Sequence, residues 1–83
     1  MPTIAEEIAD KLAIETIKAA QEIGDDRLIE EIAQSIGASS TTTEEAFRTA
    51  VRVRLSEQRA RKLLQEKIKK AAMAKQAGQT EAQ

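Results

Sequence analysis

The chain has no cysteine and no histidine. Without cysteine there is no disulfide and no thiolate metal site. Without histidine the commonest metal ligand and acid–base group is gone. Tryptophan and tyrosine are absent, and Phe47 is the single aromatic residue. Single-stranded nucleic acid, whose bases stack on rings, therefore has no platform. No apolar run is long enough to span a bilayer. The N-terminal stretch MPTIAEEIAD is acidic and periodic, unlike a basic signal peptide. The expectation is a soluble, cytoplasmic protein with no membrane partner.

What remains is helix-forming. At 83 residues the chain makes one domain at most. A domain this small buries only about 60% of its unfolded surface. Its core must come from Ile, Leu, Val and Ala, and oligomerisation is the usual remedy for too small a core. Charge is unevenly spread. Residues 1–37 hold nine acids and three bases, whereas residues 38–83 hold ten bases and five acids. The halves can neutralise each other within or between chains, or the basic half can meet an anionic partner.

Three helices are expected, roughly over 3–23, 25–36 and 42–75. Thr3 and Glu6 have capping-box spacing. Ile4, Ile8, Leu12, Ala19 and Ile23 then share one face, and Ile14 and Ile17 fall nearly opposite. A helix apolar on two sides suits a place between its own chain and a second one. Gly24 supplies a left-handed stop. Asp25 or Asp26 is expected to cap a short second helix with the stripe Leu28, Ile29, Ile32, Ala33 and Ile36, ended by Gly37. After the polar turn ASST, Thr42 or Thr43 is expected to cap the long third helix, with Glu44 and Glu45 in its acidic first turn.

The third helix carries two apolar stripes. Phe47, Ala50, Val51 and Leu55 line one face. Val53, Ala60, Leu64, Ile68 and Ala71 line another, rotated by roughly a quarter turn at about 100° per residue. The first stripe is expected to close the intrachain core. The second, with Ile14 and Ile17, is the expected oligomer interface, and a bend near Ser56 to Arg59 would also account for the rotation. Residues 1–75 then form a single helical domain, and 76–83 a flexible polar tail.

No nucleophile–base pair, phosphate-cradling glycine loop or metal-spaced ligand set appears, so neither a catalytic site nor a cofactor is expected. Carboxylate pairs at helix starts complement the dipole. The sharper feature is a basic strip of Arg48, Arg52, Arg59 and Lys70, flanked by Lys62 and Lys69. Such a strip suits duplex phosphate or an acidic protein partner. It also suits a solvated face.

Residues 25 to about 62 resemble the helical part of ribbon-helix-helix antitoxins of the VapB and ParD kind. The likeness rests on Asp25 and Asp26, the apolar pair Leu28 and Ile29, Gly37, the cap Thr42, the pairs Ala46–Phe47 and Ala50–Val51, and then Arg52, Arg54, Arg59 and Arg61. The resemblance implies a homodimer that binds operator DNA and holds a toxin with its C-terminal segment. It also implies phosphate contacts at Thr42 and Thr43. The family's DNA-reading strand would fall at about Lys18 to Ile23. Here KAAQEI continues a helical pattern, so the fold expectation stays all-α. A small DNA-associated regulator or antitoxin-like homo-oligomer is the first functional expectation. The alternative is a helical oligomerisation or adaptor protein that binds no nucleic acid.

Overall fold

The structure, a computed structural model, describes residues 1–81. Its helices are α1 (Ile4–Ile23), α2 (Leu28–Gly37) and α3 (Thr41–Glu81), and no strand occurs among the described residues. The all-α expectation with a long C-terminal helix is met.

Local chemistry sets the helix ends. The Thr3 hydroxyl accepts the Glu6 amide at 3.1 Å, and the Glu6 carboxylate accepts the Thr3 amide at 3.1 Å. Two otherwise orphaned amides are thereby satisfied at the start of α1. Gly24 closes α1 in the left-handed conformation, φ 69°, and is the only described residue there.

Three boundaries differ from expectation. Asp25 does not begin α2. Its Oδ1 accepts the Arg27 amide at 3.0 Å, an Asx turn that delays the helix to Leu28. Gly37 ends α2 as expected, although not by a left-handed turn. It is the last helical residue, and a side chain there would collide with the Glu44 carboxylate. A Cβ at 37 would require the Glu44 side chain to shift away from its place beside Arg48. Neither Thr42 nor Thr43 caps α3. The cap is Ser40, whose Oγ accepts the Thr43 amide at 3.1 Å and donates to Thr43 Oγ1 at 2.9 Å. At its far end α3 passes the expected stop at Lys75 and runs to Glu81, with Gly78 inside it. Residues 82–83 of the expected tail lie outside the described residues.

The core also departs from expectation in one respect. The buried face of α1 is Ala9, Ala13, Thr16, Ile17 and Ala20. The large residues Ile4, Ile8 and Ile23 are 75%, 54% and 65% exposed. Alanine at 9 and 13 has no accessible surface. Short side chains let α1 lie close beside α3, and the bulk is supplied from α3 by Phe47 and Val51, in one cluster with Ile17 and Ala33. Ile17 is therefore a core residue, 2% exposed, and is unavailable to an oligomer interface. Thr16, the one buried polar residue among the described residues, donates its hydroxyl proton to Leu12 O at 2.7 Å. The expected core stripes of the other helices hold. Ala33 is buried, and Ile29, Ile32, Ile36, Ala50 and Leu55 pack against the cluster.

The core stops at Leu55. From Ser56 to Gly78 every α3 residue is exposed, and the helix crosses Ser56–Arg59 without interruption. At about 1.5 Å per residue the 41 residues of α3, this distal arm included, span about 60 Å, most of the molecule's 67 Å longest axis. The radius of gyration is 19.1 Å, whereas a compact chain of this size has one of about 12 Å.

Candidate functional site

Two surfaces hold the residues singled out by the sequence, and both lie on α3. The first is the basic strip. Arg48 and Arg52 lie one helical turn apart, and Arg59 and Lys70 continue the line. Arg48 is occupied. Its Nη1 donates to Glu30 Oε2 at 2.7 Å and its Nη2 to Glu30 Oε1 at 3.0 Å. Its Nε and Nη2 also reach Glu44 Oε2, at 3.0 and 2.8 Å. These bonds hold the Glu30 carboxyl below its ordinary value and fix the Arg48 charge more firmly. The guanidinium thus ties α2 to α3 and has few donors left for a ligand.

Arg52, Arg59, Lys62 and Lys70 are exposed. Among the described residues none of them makes a hydrogen bond or ion pair. Thr42 is exposed in the first turn of α3, and Thr43 is half-buried with its hydroxyl engaged by Ser40. The sequence-predicted phosphate residues are therefore not brought together as one site. Arg52, Arg59 and Lys70 form an open row, while Arg48 and Thr43 serve the fold. α1 is helical through Lys18–Ile23, where a ribbon strand would fall in the antitoxin pattern.

The second surface is apolar. Val53, Leu64 and Ile68 are 61%, 57% and 60% exposed, and Ala60 and Ala71 are exposed with them. They lie on one side of α3. The stripe also extends backward, because Ala46 and Ala50 sit on the same side at the same three- and four-residue spacing. Ile14, 44% exposed, lies on α1 one turn past Asp10.

Beside this stripe α1 and α3 enclose a groove of about 620 Å³. Its floor on α3 includes Ala46, Ala50 and Val53, and its acids are Glu6, Glu7, Asp10 and Glu45. No basic residue lines it. At its edge Arg54 clamps Asp10, with Nε to Oδ1 at 2.9 Å and Nη2 to Oδ2 at 2.6 Å. These bonds hold the Asp10 carboxyl below its ordinary value. Farther along, Arg61 donates to Glu57 at 2.7 Å and depresses that carboxyl likewise.

The Asp10–Arg54 clamp and the acidic groove were not anticipated. Helix-start carboxylates read as dipole partners, and only knowledge of how α1 lies on α3 shows that Glu6, Glu7 and Asp10 also rim a groove. Among the described residues no group of three or more acidic side chains is placed to hold a metal ion, and no helix is long and apolar enough to cross a membrane. No protein-family model, curated protein or solved structure matches the chain.

Proposed function

We propose that this is a non-enzymatic protein that works by association, joining copies of itself through the exposed side of α3. One observation carries this reading. No described residue of the distal arm packs in the core, and its base is held by Gln21 of α1 donating to Gln58 at 3.1 Å, yet the arm presents Leu64 and Ile68 on a continuous apolar stripe. A helix with large apolar residues and no packing partner is marginal in water. The surface area points the same way. A compact 9.1 kDa protein exposes about 4,900 Å², and this chain exposes 6759 Å². The surplus is ample for a standard interface, which takes about 800 Å² from each partner. Light scattering tests the reading: a dimer or larger species is expected at micromolar concentration, and a 9.1 kDa monomer would refute it.

A second reading, favoured by a separate observation, is a cytoplasmic DNA-associated regulator of the antitoxin-like kind. It rests on the open row of Arg52, Arg59 and Lys70. It stands second because Arg48, the residue that starts the row, is spent on Glu30 and Glu44. Titration of binding to random duplex DNA tests it. Each phosphate neutralised contributes about −0.9 to the slope of log K against log salt, so a slope near zero removes this reading.

A further inference from the structure

We propose that the acidic groove between α1 and the first half of α3 seats the distal α3 arm of a second copy, the two α3 helices running antiparallel about a two-fold axis between Gln58 and Arg59. The inference rests on the association reading above and adds its partner, direction and register.

Three features of the surface carry it. The first is charge. The groove contributes Glu6, Glu7 and Glu45 beside Asp10, which Arg54 already holds, and no base lines it. Over residues 56–78 the arm carries Arg59, Arg61, Lys62, Lys67, Lys69, Lys70 and Lys75 against Glu66 and Glu57, the latter held by Arg61. An acidic cleft and a basic arm on the same molecule repel their own kind and attract each other. A parallel pairing sets acid beside acid and base beside base.

The second is register. In an antiparallel pair centred between residues 58 and 59, each residue lies opposite the one whose number completes 117. Val53 then meets the partner's Leu64, and Ala46 meets the partner's Ala71. Ala50 lies beside the partner's Ile68, one position from the ideal. Apolar residues of the arm thus fall on apolar residues of the groove floor, with Leu64 on Val53, Ile68 beside Ala50 and Ala71 on Ala46. The same register brings the partner's residues 69–75 alongside residues 42–48, a stretch with Glu44 and Glu45 and with Arg48, whose charge Glu30 and Glu44 already hold.

The third is closure. A two-fold pairing is isologous: each groove receives an arm and each arm enters a groove. The exposed stripe is consumed at both ends, with nothing left to propagate a filament. Burying about half of each chain's surplus area meets the size of a standard interface.

Cysteine cross-linking of the full chain tests the register, since there is no native thiol to interfere. Within one chain positions 53 and 64 are about 16 Å apart along the helix, too far for a disulfide, which needs Cα atoms within about 7 Å. The double variant Val53→Cys/Leu64→Cys is expected to oxidise to a covalent dimer, whereas Val53→Cys and Leu64→Cys alone are not. Both positions are exposed, so folding is preserved. A dimer in which the single variants cross-link is parallel and overturns the inference while leaving the association reading intact. A dimer in which no variant cross-links does the same. A chain that stays monomeric overturns both. Suppression of the cross-link by random duplex DNA at low salt assigns the arm to nucleic acid and also overturns the inference.

Discussion

The Glu30 carboxylate accepts both terminal nitrogens of Arg48 across the boundary between α2 and α3, at 2.7 and 3.0 Å. A bidentate guanidinium–carboxylate pair is directional as well as attractive. It fixes how the short α2, which has only Ala33 fully buried, is oriented on the long helix. The same pairing removes Arg48 from the row of arginines open to a partner.

Acid should loosen this arrangement. Glu30 and Asp10 both have folded values below their ordinary 4.5 and 3.8. Each therefore binds its proton less readily in the folded state. The stability they contribute is complete above their ordinary values, declines below them and is lost once pH falls through the folded values. Urea melts between pH 3 and 7 should show a falling midpoint at the acid end. Glu30→Gln should lower the midpoint at pH 7 and flatten that dependence. An unchanged slope would mean that the pair adds nothing to folding.

Among the described residues Phe47 is the only large side chain with no exposure. Phe47→Ala should cost about 3–5 kcal/mol, a large part of the stability available to a domain this small. Ala13 tests the close approach of α1. Ala13→Leu should destabilise by about 1–3 kcal/mol through overpacking, although the change raises hydrophobicity. Both are measured by chemical denaturation, and a neutral Ala13→Leu would show that the helices are not closely apposed.

The start of α3 gives a sharp contrast between neighbours. Ser40→Ala should cost about 1 kcal/mol as a lost cap, whereas Thr42→Ala, exposed and uninvolved in the cap, should fall within about 0.5 kcal/mol of neutral. The reverse ranking in thermal melts would place the helix start two residues later.

Much of this fold was legible in the residues. Thr3 with Glu6, the glycine at 24, and the stripes through Ile29, Ala33, Phe47 and Val51 all carry local signals that tertiary structure left unchanged. The buried face of α1 did not. Ile4, Ile8 and Ile23 outweigh Ala9, Ala13 and Ala20 on any hydrophobicity count, yet the alanines are inside because interhelical distance, not transfer free energy alone, chose the face. The repeat of Ala9, Ala13 and Ala20 at four- and seven-residue spacing was the available clue. Ser40 lost to Thr42 in the reading because Glu45 completes a box with Thr42, and Ser40 has only Thr43 at the corresponding place. At the candidate site the open row of Arg52, Arg59 and Lys70 and the stripe of Val53, Leu64 and Ile68 were readable from helical periodicity. Pairing of the acidic half with arginines of α3 was foreseeable, but the choice of Glu30 with Arg48 and Asp10 with Arg54 was not, because these pairs join residues 18 and 44 positions apart.

The central claim is that the distal arm of α3 is an association surface. Hydrogen–deuterium exchange of the intact chain, compared between dilute and concentrated solutions, tests it most directly because it reports the arm and the core separately. The account predicts that amides of residues 60–75 gain protection as concentration rises, while those around Phe47 and Val51 stay protected throughout. Exchange in residues 60–75 that is the same at every concentration would contradict it.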